Sequence, residues 1–77
     1  MQTKRTVLVD SQGWTLHEFD RVMTNEEVLY YINRHWEPGF IMRLTYQPEI
    51  NPPQTYIEAK NKETGKYSFV AFVRIRE

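Results

Sequence analysis

Rings and guanidinium groups recur at two-residue spacing near one end of this 77-residue chain. The stretch Tyr67–Arg76 reads Y-S-F-V-A-F-V-R-I-R, preceded by T-Y-I-E-A-K-N and a turn containing K-E-T-G-K. Successive side chains of a strand point to opposite faces. Strict alternation therefore puts Tyr67, Phe69, Ala71, Val73 and Ile75 on a core face. Ser68, Val70, Phe72, Arg74 and Arg76 fall on the other. If Lys62 pairs with Lys66 across a three-residue turn, Tyr56 faces Phe72 and Glu58 faces Val70. Tyr56, Val70 and Phe72 then cluster, with Arg74, Arg76 and Lys60 around them. Arg43 and Ile41 extend the patch if their strand is adjacent. Such a surface can stack flat bases while cations hold phosphates. It can also be a protein interface, where aromatics and arginine are enriched, or simple cross-strand packing worth about 0.2–1 kcal/mol per pair.

Other chemistry has thinner support. His17, Glu18 and Asp20 lie on one strand, but alternation sends His17 to one side and both carboxylates to the other. His35 borders the apolar stripe of a helix. These residues do not converge as the ligand set that a metal site needs. There is no cysteine, so neither a disulfide nor a thiolate ligand is available. Ser11 and Ser68 have no histidine and carboxylate spaced as a triad. Each of Gly13, Gly39 and Gly65 is explained by a turn, which leaves no phosphate-cradling loop. We expect no enzyme, no cofactor and no metal. The prolines between Pro48 and Pro53 read as a connection between strands rather than as a polyproline ligand.

Those residues need elements to hold them. Thr6–Val9 is β-branched and reads as a strand. Asp10-Ser11-Gln12-Gly13 reads as a three-residue hairpin loop, with Gly at the left-handed position. Trp14–Val22 is the returning strand. If Asp10 faces Trp14, then Leu8 faces Leu16, and Val7, Val9 and Phe19 share the opposite face. Thr24 and Glu27 form a reciprocal capping box, with Met23 spaced to staple onto Val28. The helix that follows places Val28, Leu29, Ile32 and Trp36 on one stripe, with Tyr31 at its edge. Tyr30 and Arg34 lie opposite, and Pro38-Gly39 stops the helix. Phe40–Gln47 alternates cleanly, with Phe40, Met42, Leu44 and Tyr46 inward.

The whole chain thus reads as one small α+β domain over residues 1–77, in the order β-β-α-β-β-β. The expected architecture is a mostly antiparallel five-stranded sheet with one helix packed on one face.

Composition bounds the function. The chain is 40% hydrophobic and 26% charged, with eleven aromatic residues, which is ordinary for a globular domain apart from its ring content. A chain this short buries only about 60% of its unfolded surface, so self-association would help it. Ten Lys+Arg balance ten Asp+Glu, which argues against holding duplex DNA by charge alone. Residues 40–77 carry six cations and four carboxylates, and residues 1–39 the reverse, a weak asymmetry. No apolar run of signal or membrane-spanning length is present, so the cytoplasm is the default compartment and no membrane partner is expected.

In size and element order the chain resembles small phage or mobile-element proteins, a likeness that rests on no motif. On the residues, the first expectation is a non-catalytic interaction module that binds a protein partner or itself as a homodimer. Its surface would be Tyr56, Val70, Phe72, Arg43, Arg74 and Arg76. Single-stranded nucleic acid bound by the same aromatic and arginine face ranks second.

Overall fold

A computed structural model describes residues 4–51 and 53–77. It contains β1 (Arg5–Val9), β2 (Thr15–Glu18), α1 (Asn25–His35), β3 (Phe40–Gln47), β4 (Gln54–Asn61) and β5 (Tyr67–Arg76). The strands form one antiparallel sheet in the order β2-β1-β5-β4-β3. This is the α+β arrangement, and the element order, that the sequence predicts. The connection from β3 to β4, through residues 48–53, joins neighbouring strands; its Pro52 lies outside the described residues.

The helix covers one face of the sheet. Val28 and Ile32 pack on Leu8, Phe19, Met42, Ile57, Ala59 and Ala71, with Met23, Leu29, Tyr31 and Leu44 at the margin. Burying each of the larger aliphatic side chains contributes about 1.5–3 kcal/mol, so this one layer is the main source of stability. Trp36 leaves the expected stripe. The helix ends at His35, and Trp36 follows as its extended C-cap, at the rim of the core and partly open to solvent.

Both hairpins contain a one-residue irregularity, and each changes which face a side chain meets. In the first, Asp10 N–H donates to the Trp14 carbonyl and Gly13 N–H to the Asp10 carbonyl, closing the three-residue loop with Gly13 at φ 90°. Val9 pairs with Thr15, but Leu8 then pairs with His17 and Val7 with Glu18. Leu16 is the extra residue of a β-bulge. Beyond it the alternation of the strand is inverted. Phe19, expected beside Val7 and Val9, instead joins Leu8 in the core under the helix.

The second hairpin turns one residue wider than expected. Asn61 N–H donates to the Lys66 carbonyl, and Gly65 N–H to the Asn61 carbonyl. Asn61, not Lys62, therefore faces Lys66, and four residues form the loop. The Asn61 side chain accepts from the backbone N–H groups of Glu63 and Thr64 at 2.8 and 3.2 Å, as Asn does when it opens a turn. Gly65 supplies the left-handed residue at φ 73°, which costs glycine nothing. The ladder then runs Lys60 to Tyr67, Ala59 to Ser68 and Glu58 to Phe69 before it shifts, and resumes with Ile57 opposite Ala71 and Tyr56 opposite Phe72. Val70 is the bulged residue. One extra residue in the turn is returned at the bulge.

The segment between β2 and α1 is fastened by Thr6. This residue is fully buried, at 0% exposure, and its hydroxyl accepts from Met23 N–H at 2.8 Å. Its backbone N–H donates to the Arg21 carbonyl, and its own carbonyl accepts from Phe19 N–H. The helix start carries the capping box in full: Glu27 N–H donates to the Thr24 hydroxyl, and Thr24 N–H to the Glu27 carboxylate. Arg21 also donates to Glu27, at 2.6 Å. At the far edge, the Asn33 side chain accepts from Met42 N–H, so the helix engages one otherwise open donor of edge strand β3.

Two predictions follow from this clasp. Thr6→Val keeps shape but leaves the Met23 N–H without its acceptor, so urea unfolding should show a loss of about 1–3 kcal/mol; Thr6→Ser should recover most of it, and an unchanged Thr6→Val would contradict the clasp. The bond from Arg21, then the backbone of Thr24, holds the Glu27 carboxyl below its ordinary 4.5, at about 2. A carboxyl depressed in the folded state stabilises above its unfolded pKa, and that contribution fades as pH falls toward the folded one. Glu27→Gln should therefore flatten the decline of the urea midpoint between about pH 4.5 and 2; an equally steep decline would show that the carboxyl is not coupled to folding.

Candidate functional site

The side of the sheet away from the helix carries no covering element among the described residues. Its strand side chains include Thr15 and Glu18 on β2, Arg5, Val7 and Val9 on β1, and Tyr67, Phe69, Phe72, Arg74 and Arg76 on β5. Tyr56, Glu58 and Lys60 come from β4, and Ile41, Arg43 and Thr45 from β3. Five of the six residues predicted for the site are therefore brought together: Tyr56, Phe72, Arg43, Arg74 and Arg76. The sixth is not. Val70 is the bulge, and it packs against the core beneath the helix.

The same irregularity adds two rings that strict alternation assigns to the core. Tyr67 and Phe69 lie on the turn side of the bulge, where the register is displaced by one, so both face outward at 42% exposure. Phe69 lies 4.9 Å from Phe72 and 6.2 Å from Tyr56 between ring centroids, and Tyr56 to Phe72 is 6.4 Å with the rings near perpendicular. These separations suit aromatic pairing, worth about 0.5–1.5 kcal/mol per pair. Val7 and Val9 continue the apolar floor next to them. They are buried although they face away from the helix, with Glu18 and Arg74 as the cross-strand neighbours of Val7 and Phe72 as one neighbour of Val9.

Cations border the rings. The Arg74 guanidinium lies 5.0 Å from the Phe72 centroid, and that of Arg43 lies 3.5 Å from Tyr67. Lys60 Nζ is 5.9 Å from the same ring. Glu18 accepts from Arg5 at 2.6 Å and lies 3.8 Å from Arg76. Glu58 pairs with Arg43 at 3.0 Å. Within the strands of this face, five cations (Arg5, Arg43, Lys60, Arg74 and Arg76) meet two carboxylates, Glu18 and Glu58, a surplus of three positive charges. The chain as a whole is neutral, so this face carries charge that the rest of the molecule balances.

The histidines do not join this surface. His17 stacks on Tyr31 at 4.6 Å on the helix side, and His35 lies 4.3 Å from the same ring. Tyr31 also bonds His17 Nδ1 through its hydroxyl at 3.3 Å. Among the described residues no group of three or more His, Cys, Asp or Glu side chains is placed to hold a metal ion, and no helix is long and apolar enough to cross a membrane.

No family model, no curated protein and no solved structure matches this chain. The site must be read from its own geometry.

The bulge makes a prediction that reverses strict alternation. Val70→Asp places a carboxylate against the core and should cost roughly 2–4 kcal/mol in chemical denaturation. Phe69→Ser removes an outward ring and should cost about 1 kcal/mol. The opposite ranking would put Phe69 inside and Val70 outside.

Proposed function

We propose that this chain is a non-catalytic binding module whose open sheet face takes single-stranded nucleic acid. One observation carries the reading: Tyr56, Tyr67, Phe69 and Phe72 share a single face with a surplus of three positive charges. Rings in a row offer stacking platforms that tolerate any base, and cations around them meet the phosphates. An open sheet supplies such a platform without a groove, and splayed bases are the form of ligand that can lie on it.

Charge also ranks the alternatives. A second copy using the same face would bring like charges together, which opposes the symmetric pairing of a homodimer. A protein partner would need an acidic surface with apolar or aromatic side chains to match. A duplex hides its bases in the stack and would leave the rings without a partner. A cytoplasmic setting goes with a nucleic-acid ligand and belongs to the same proposal.

Fluorescence anisotropy with a labelled mixed-sequence strand of about twelve nucleotides tests this. The chain should bind, and log Kd should rise with log salt with a slope of about 2, from three uncompensated cations at 0.7 per phosphate. Phe69→Ala and Phe72→Ala should each weaken binding by about 1–3 kcal/mol. Light scattering without ligand should give the 9.3 kDa monomer mass. No binding at low salt would overturn this reading, and a dimer that Phe72→Ala dissociates would replace it with self-association.

A further inference from the structure

We infer that Glu58 holds Arg43 flat on Tyr67 as a stacking shelf for a base, so that the face selects base-bearing strands over plain polyanions. The inference rests on the nucleic-acid reading above and deepens it. Arg43 stands on β3 and Tyr67 on β5, two strand spacings apart, about 10 Å between backbones. The two side chains nonetheless meet above β4, with the guanidinium carbon 3.5 Å from the ring centroid, the distance of a stacked contact.

Glu58, the cross-strand partner of Arg43, fixes this geometry. Its Oε1 accepts from Arg43 Nε at 3.0 Å, lies 3.0 Å from Nη2, and accepts from the Thr45 hydroxyl at 3.0 Å. The Glu58 side chain is only 18% exposed, whereas that of Arg43 remains 49% exposed. A guanidinium tied in this way has its charge paired and its Nε–H given to a neighbour. What it still presents is its plane, which is weakly hydrated and stacks on flat partners. A cation intended chiefly for phosphate has no use for a carboxylate bonded to it. Arg74 and Lys60, which have no carboxylate at ion-pair distance among the described residues, fill that role.

Two substitutions separate the shelf from simple charge. Glu58→Gln gives the face one more net positive charge, so electrostatics alone makes every anion bind tighter. If Glu58 is a positioning residue, the base-bearing strand should bind about tenfold weaker, while an abasic strand of equal length and inorganic polyphosphate bind as well or better. Arg43→Lys keeps the charge and removes the plane, and should show the same split. Either variant binding the base-bearing strand as tightly as the wild type would overturn the shelf.

A ligand-free measurement keeps the two proposals apart. In the NMR spectrum of the wild type, the Arg43 δ protons should be shifted upfield by the Tyr67 ring, and Glu58→Gln should abolish the shift. Its absence from the wild type would overturn the shelf whatever the chain binds. Failure of the wild type to bind any of the three ligands would overturn the nucleic-acid reading instead. Thermal melts establish that the variants are folded, and if Glu58→Gln does not fold, Thr45→Val, which loosens Glu58 from the other side, should show the same split with a smaller loss.

Discussion

The register of β5 against β4 decides what this molecule shows to its surroundings. Up to Phe69 the ladder is set by the four-residue turn that Asn61 opens; from Ala71 onward it is set by the bulge at Val70. Because side chains alternate with a period of two, a displacement of one residue moves every side chain on that segment to the other face. Val70 and Ala71 both turn under the helix, and Tyr67 and Phe69 both turn out. Without that step the rings on the open face would number two, and Val70 would sit among them.

The helix layer makes this arrangement affordable. Val28 and Ile32 on α1, with Leu8, Met42, Ile57 and Ala71 from four strands, form the single sizeable core. The small residues Ala59 and Ala71 complete it from β4 and β5. Phe69 would overfill that layer if regular alternation placed it there, and a large residue forced into a packed core typically costs about 1–3 kcal/mol. Bulges bend and twist a strand and re-aim its side chains. Here the bulge lets a smaller valine take the inner position while the phenylalanine joins Phe72 and Tyr56 outside. The bulge at Leu16 does the reverse for Phe19, which it brings into the core.

Much of the fold is legible from the residues. The capping box of Thr24 and Glu27, the alternation of Phe40–Leu44, and Gly13 and Gly65 in left-handed turns all read directly and stand in the structure, whereas Tyr46, expected inward, is exposed at the end of β3. The pairing of Tyr56 with Phe72 is recoverable because two departures from a regular three-residue hairpin cancel: a turn one residue wider, and a bulge at Val70. Nothing in V-A-F marks the bulge, since its residues are all apolar and suit either face. Asn61 was the available signal for the wider turn, as a residue whose side chain accepts from the amides two and three positions on. Charge was less legible still. Counting cations by halves of the chain gives a weak bias, because the two sides of each strand are interleaved in sequence. Only the assembled sheet gathers Arg5, Arg43, Lys60, Arg74 and Arg76 on one surface.

The central claim is that this outward row of rings and cations is where a single strand lies. An amide and side-chain NMR titration of the labelled chain with a short single-stranded oligonucleotide examines it most directly. Shift changes should concentrate on Tyr56, Tyr67, Phe69, Phe72, Arg74 and Arg43, and leave Ile57, Ala71, Val28 and Ile32 nearly unmoved. Changes centred on the helix, or a spectrum indifferent to the oligonucleotide at low salt, would contradict the account.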